Sequence, residues 1–320
     1  MTRDVAIVGA GGIGQRHAQS CATLPAADYR LHLVEPNDEN RARTSALLGG
    51  REAVNWYKSV GDLPEAIDLA IVATRADIRA RVTAEILQRT IARSLILEKV
   101  LFQKVSDYAA TGDLLSRAGA SARVNCPRRM WPAYKKLRGE LVGQEIVRVD
   151  VSGANWDIGC NAIHFIDLIA FLTQASQVVV DEVRLGDVWP AKRDGMLHIE
   201  GEVIGHLSRG VTRVPFRIAS TPAHQGPQTV RIEATKGIYE IAESASTMTA
   251  TAPDEAPSTI PIPFQSQLTA SAVQGILVDG RCDLALYEES RALHERFIAA
   301  LLPALDRAGK LADREVCPIT

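Results

Sequence analysis

The chain has 320 residues, 46% apolar and 23% charged, with 36 Lys+Arg against 38 Asp+Glu and a net charge of −2. That length exceeds one ordinary core, so two domains are expected, and the composition is that of a soluble globular protein. The interspersed charges form no basic stripe for nucleic acid, and the longest apolar runs are too short to span a bilayer. The N-terminus "MTRDVAIVGAGG" enters a strand-like run at once, leaving no room for the regions of a signal peptide. No nucleic-acid or membrane partner is expected, and the expected location is cytoplasmic. Cys21, Cys126, Cys160, Cys282 and Cys317 show no paired spacing, which argues against a metal cluster and against a disulfide framework. Apart from Cys160, they read as small buried residues in a reducing compartment.

"DVAIVGAGGIGQRHAQSCATL" passes from an apolar run, Val5 to Val8, directly into glycines and then into residues of helical character. Gly9, Gly11 and Gly14 fit G-x-G-x-x-G, where the glycines permit a tight turn, backbone approach to a pyrophosphate and close helix–strand packing. The loop, with Gly12 and Ile13, would place phosphate at a helix N-terminus, where backbone N–H groups have no internal partner. "YRLHLVEPN" supplies a second strand ending in Glu35, 21 residues after Gly14, placed to accept hydrogen bonds from ribose hydroxyls. A carboxylate there repels a 2′-phosphate, so NAD is favoured over NADP, although Arg41 and Arg43 lie close enough in sequence to approach a phosphate.

"IDLAIVAT" and "SLILEKV" have the apolar cores of parallel strands buried on both faces. Helical segments around 76–90 and 106–118 separate or follow them, giving the alternation of a doubly wound sheet. Ligands bind beyond the carboxyl ends of such strands, and Thr74, Arg75, Glu98 and Lys99 occupy those ends. Lys99 is therefore a catalytic candidate, and Thr74, Arg75 and Glu98 are cofactor contacts, Glu98 orienting the nicotinamide ribose or the lysine; an exposed loop charge is the alternative for Arg75.

In this order, "GAGGIGQRH", "VATRADIR", "EKV", "NCPRRMWPAY", "GCNAIHFIDL" and "CDLALYEESRALHERFIAALL" resemble segments of the glucose–fructose oxidoreductase / inositol dehydrogenase / MocA (Gfo/Idh/MocA) family of nicotinamide-dependent oxidoreductases. The resemblance implies an α/β protein. Its Rossmann domain, a doubly wound parallel sheet, would cover 1–122. An α+β domain with a mostly antiparallel open sheet would cover 123–320, with a C-terminal helix at about 284–305 packing back. Runs of β character between Glu145 and Ala252, separated by turn residues, independently read as a β-meander. A homo-oligomer through that sheet is expected. The chain departs from the family pattern at four places. Val100 replaces a proline, so the Lys99–Val100 bond is expected to be trans. Arg75 replaces a proline, Arg79 a histidine, and Cys160 the acid four positions before the family's catalytic histidine.

That histidine is His164. At about 100° per residue, Asn161, His164, Asp167 and Leu168 form one stripe on a helix, with Ile163, Ile166, Ile169 and Ala170 on the other side. Burying His and Asp costs free energy unless each finds a partner, so the stripe should face a polar cleft or a hydrogen-bonding network. A satisfied core histidine is the alternative; with Lys99, the glycine loop and the resemblance, His164 becomes the candidate general acid/base. Lys99 would hydrogen-bond the substrate oxygen. Asp167 would be supporting, Cys160 and Asn161 would shape the pocket, and Asn125 and Arg129 are secondary candidates. No metal is expected.

The resemblance implies hydride transfer between NAD and a ring hydroxyl or keto group of a sugar, polyol or sugar-nucleotide, a CH–OH dehydrogenase or reductase. Arg128, Arg129, Tyr134, Lys135, Lys136 and Arg138 suggest an anionic substrate, with Trp131 and Trp156 as an aromatic wall; a solvated helix face over core tryptophans is the alternative. Two other functions stay open: a non-catalytic NAD-binding regulator, and a reductase of a C=N or C=C bond.

Overall fold

A computed structural model describes residues 2–50, 54–244 and 246–320. The chain forms two compact units: Met1–Phe102, Ser106–Pro127 and Phe264–Glu288 make the first, and Gln103–Val105, Arg128–Pro263 and Glu289–Thr320 the second. The chain crosses between the units at Pro127/Arg128, and Phe264–Glu288, which the expectation of a second domain over 123–320 includes, lies in the first unit.

In the first unit, β1 (Arg3–Val8), α1 (Gly12–Cys21), β2 (Tyr29–Val34), α2 (Asp38–Leu47), β3 (Val54–Tyr57), β4 (Ala66–Val72), α3 (Ala76–Arg89), β5 (Ile91–Glu98), α4 (Val105–Ala118) and β6 (Ser121–Asn125) alternate. The strands form one parallel sheet in the order β3-β2-β1-β4-β5-β6. Its centre is apolar because β1, β4 and β5 must be covered on both faces: Val5, Ala6, Ile7, Leu69, Ile71, Leu95 and Leu97 are fully buried. The order reverses between β1 and β4, and at that switch point the carboxyl end of β1 opens into the glycine loop.

The second unit begins with α5 (Pro132–Glu140), β7 (Ile146–Gly153) and α6 (Ile158–Thr173). Seven strands follow: β8 (Gln177–Pro190), β9 (Leu197–Arg209), β10 (Thr212–Ser220), β11 (Gln228–Ala234), β12 (Gly237–Glu243), β13 (Thr247–Thr251) and β14 (Ser258–Pro261). The chain then returns to the first unit as α7 (Gln265–Leu277) and ends in the second as α8 (Tyr287–Arg307). The eight strands run β14-β13-β12-β11-β7-β10-β9-β8. The expected simple meander is corrected here, because β7 inserts between β11 and β10 and runs parallel to β10. Two strands were not among the expected runs: β8, an edge strand with one buried position, and β14, with only four residues. One sheet face is apolar, with Val149, Val151, Ile199, Val203, Ile218 and Ile232 almost fully buried, and α6 packs on β9 and β10. Along α6, Ile163, Phe165, Ile166 and Ile169 are fully buried, each contributing about 1.5–3 kcal/mol by leaving water. No helix among the described residues is long and apolar enough to cross a membrane.

Each of the five cysteines is a thiol outside any disulfide; Cys21, Cys126 and Cys317 are buried as expected, whereas Cys282 is only half-buried. The Lys99–Val100 peptide is cis, correcting the expectation from valine. The turn is set by its surroundings: the buried Arg79 guanidinium donates to the carbonyls of Val100, Leu101 and Thr74, and Val100, Leu101 and Phe102 are fully buried.

Candidate functional site

In the first unit, β1 ends at Val8, and Gly9 turns the chain at φ +93°, a conformation that side chains other than glycine's rarely adopt. A Cβ on Gly14 would sit 1.9 Å from the Gly9 carbonyl oxygen, so α1 approaches the loop at a distance only glycine allows. A Cβ at Gly11 or Gly12 would meet nothing within 4 Å, so the opening of α1 is unobstructed. Gly11 caps the helix without a side-chain bond, leaving the first N–H groups of α1, at Gly12, Ile13 and Gly14, for an incoming anion.

Glu35 is buried at the end of β2, where Oε2 accepts from the Ala10 N–H at 2.7 Å and Oε1 from the Asn37 N–H at 2.9 Å. It thus clamps the glycine loop, and each oxygen keeps a lone pair for a ribose hydroxyl. Arg41 lies over the Trp56 ring and Arg43 pairs with Glu39 at 2.8 Å, so both cations have partners within the unit. The Thr74 hydroxyl is buried with no hydrogen-bond partner among the described residues. Arg75, whose alternative was an exposed loop charge, is paired with Asp77 at 2.9 Å. The open helix terminus, the glycine that a Cβ would fill and the orphaned Thr74 hydroxyl together fit a dinucleotide.

At the end of β5, Glu98 is buried and Lys99 half-buried. Glu98 Oε1 accepts from His17 at 2.9 Å and from the Asn125 amide. Burial alone would raise its carboxyl, but His17, Asn125 and the Arg79 charge outweigh this and hold it below the usual range. Asn125, a secondary candidate from the sequence, thus joins Glu98. His17 was visible only as the residue trailing the glycine loop.

In the second unit, Asp157 adopts φ +61° and caps α6, its carboxylate accepting from the N–H groups of Cys160 at 3.4 Å and Ile199 at 3.0 Å. Asn161 donates to the Trp156 carbonyl at 2.6 Å. The Cys160 thiol, one turn before His164, donates to the Thr320 carbonyl at 2.6 Å. The residues around Thr320 are held in turn: Gln103 donates to the Ile319 carbonyl at 3.0 Å and accepts at its own carbonyl from Cys317 N–H. His164 is half-buried on the face of α6 that also carries Asn161.

Asp167 takes the hydrogen-bonding role foreseen for the stripe. Its Oδ2 accepts from Arg129 Nε at 2.6 Å, and Arg129 Nη1 donates to Glu289 at 2.7 Å. Burial pushes the Asp167 carboxyl up to about 6, against the opposing pull of Arg129, while these carboxylates raise the pKa of Arg129 further. Arg129 is thereby engaged in anchoring α6. Three other cations of its segment have partners in the unit too: Arg128 pairs with Glu243 at 2.7 Å, Lys136 with Glu140 at 3.1 Å, and Arg138 lies over Phe171. Tyr134 is buried, donating to Glu243, and stacks with Trp131, while Trp156 packs edge-on against Phe165. Trp131 is thus buried and Trp156 half-buried, and the named cations are engaged within the unit. Among the described residues no group of three His, Cys, Asp or Glu is arranged to hold a metal.

No curated protein matches the chain in sequence. Among solved structures, the transcriptional regulator Gal80p of Kluyveromyces lactis is 16% identical with a TM-score of 0.71, covering 98% of this chain and 92% of that one. The scyllo-inositol dehydrogenase of Lactobacillus casei, bound to NAD(H) and scyllo-inositol, is 16% identical with a TM-score of 0.70, covering 96% and 98%. The biliverdin reductase of Synechocystis, bound to biliverdin and NADP+, is 16% identical with a TM-score of 0.68, covering 93% and 97%. At such identities these likenesses show the fold. Residues 3–126 match the family described as oxidoreductase family, NAD-binding Rossmann fold. That segment is similar to the NAD-binding Rossmann domain of the Gfo/Idh/MocA oxidoreductases.

Proposed function

We propose that the protein is a dehydrogenase or reductase moving hydride between NAD(H) and a ring hydroxyl or keto group of a sugar, polyol or sugar-nucleotide. The observation that carries this reading is the open N-terminus of α1 with its loop clamped by buried Glu35. The preference for NAD over NADP rests on the same carboxylate, since Glu35 would repel a 2′-phosphate. The substrate class draws on the match of residues 3–126 to that oxidoreductase family and on the likeness to an inositol dehydrogenase. Self-association is assigned to the eight-stranded sheet.

Bound NAD+ supplies the hydride acceptor. The N–H groups opening α1 take the pyrophosphate charge, and Glu35 takes the ribose hydroxyls. Lys99 donates a hydrogen bond to the substrate oxygen and stabilises alkoxide character on it. His164 accepts the hydroxyl proton in oxidation and returns it in reduction, because imidazole titrates near neutral pH. Asn161 and Cys160 hold the first turn of the helix that carries it.

One observation favours a second reading, a non-catalytic NAD-binding regulator: the position one turn before His164 holds a thiol bonded to a backbone carbonyl, where the family pattern has an acid. Titration with NADH, followed by a nicotinamide absorbance assay over sugars, polyols and nucleotide-sugars, separates the two. Binding with turnover on a panel member is the expected result. Binding without turnover on any of them favours the regulator, and no binding removes both.

A further inference from the structure

The buried polar groups of the first unit form a closed ring that the hydride-transfer reading does not use. Glu98 Oε1 accepts from His17 Nε2 at 2.9 Å and from Asn125 Nδ2. Asn125 Nδ2 also donates to Gln265 Oε1 at 3.1 Å, Gln265 Nε2 donates to Thr269 Oγ1 at 2.9 Å, and Thr269 Oγ1 lies 2.8 Å from His17 Nδ1. The ring joins α1, the ends of β5 and β6, and α7, all within one unit.

Chemistry directs the ring. An ionised carboxylate only accepts, so His17 and Asn125 must both donate to it. The two hydrogens of Asn125 are then spent on Glu98 and Gln265, which fixes both amide orientations. Thr269 completes the circuit with a hydroxyl that has two acceptors in reach, His17 Nδ1 and the Gln265 carbonyl at 3.2 Å. It therefore closes the ring with His17 neutral or charged. Both donors to Glu98 fall on Oε1, and Oε2 takes no donor from the described residues.

We propose that His17, Gln265 and Thr269 are positioning residues for the dinucleotide, a proposal that rests on the NAD-binding reading above. The ring fixes α1 behind its glycine loop and holds Glu98 so that Oε2 accepts from the bound dinucleotide. A segment from late in the sequence thus completes a nucleotide site whose motif lies at the start.

The test uses the full chain and NADH as probe, with affinity read by fluorescence titration and folding by thermal midpoint. Thr269→Val removes all three contacts of the hydroxyl and should weaken NADH about ten-fold, on the order of one net hydrogen bond. Thr269→Ser keeps the hydroxyl and should restore affinity to within about two-fold. Gln265→Glu, at a half-buried position, replaces the donor to Thr269 by an acceptor and should weaken NADH in the same direction, giving a second readout if the valine variant does not fold. Wild-type affinity in folded Thr269→Val or in Gln265→Glu overturns the proposal while leaving the NAD-binding reading intact, as does a serine variant as weak as valine. If the wild type itself does not bind NADH, the underlying reading falls and this proposal with it.

Discussion

Each unit buries a carboxylate near its candidate site, and the two are treated oppositely. Glu98 in the first unit gathers two donors on one oxygen and feels the Arg79 charge, so its carboxyl is held below the usual range. Asp167 in the second unit has one short bond to Arg129, lies near Glu289, and leaves Oδ1 without a partner among the described residues, so burial pushes it up to about 6. Burial is the largest influence on both. What differs is the number of donors that oppose it, and a buried ion pair does not by itself guarantee a strongly acidic carboxyl.

The comparison breaks most sharply at Arg129. Arg129→Met leaves Asp167 buried beside Glu289 with no cation and should cost about 3–5 kcal/mol of unfolding free energy by urea titration; a loss well below 1 kcal/mol would show that the pair does not anchor α6. Next comes pH. Because the folded Asp167 carboxyl lies above its unfolded value, its contribution is fully present below about pH 4 and is lost as pH rises through about 6. Wild-type stability relative to Asp167→Asn should therefore fall by up to about 3 kcal/mol between those values, at about 1.4 kcal/mol per pH unit. Glu98 has the opposite sign: its lowered carboxyl contributes stability above its unfolded value, lost as pH falls. A wild-type–to–Asp167→Asn difference that grows with pH would contradict the assignment.

Lys99→Met and His164→Asn should each lower turnover by about 10²-fold or more with NADH affinity retained. Near-normal turnover in both removes them from the chemistry. The smallest expected effect is at Glu35, where Glu35→Gln keeps the shape but loses one charge-assisted loop bond, weakening NADH by about 1–2 kcal/mol. Unchanged affinity there would mean the clamp does not shape the nucleotide site.

The same contrast explains what was legible in the sequence. Gly9, Gly14 and Glu35 announce themselves because a strand, a turn and a helix N-terminus impose residue types at fixed short spacings. The stripe on α6 was legible as a period, Asn161–His164–Asp167, but its partners were not. Glu289 meets Arg129 from 160 positions away, and no local pattern records such a pairing. Gln265 and Thr269 were hidden for the same reason, lying on a helix that returns to the first unit from late in the chain. Edge strand β8 escaped because only Val178 is buried and register shifts at Val180/Glu182 and Leu185/Val188 break its alternation. The cis bond at Lys99–Val100 follows from contacts of Arg79, 20 residues upstream of Lys99.

If the open N-terminus of α1 takes the dinucleotide phosphates, a negative charge placed there by Gly12→Asp must displace them. A Cβ at Gly12 meets nothing within 4 Å, and an acidic residue in the first turn favours the helix, so the variant should fold as well as wild type. Its carboxylate would stand where the pyrophosphate charge belongs. NADH titration should show affinity reduced by about 10²-fold or more, on the order of 3 kcal/mol, with an unchanged or raised thermal midpoint. Wild-type NADH affinity in a folded Gly12→Asp protein would contradict that placement of the phosphates.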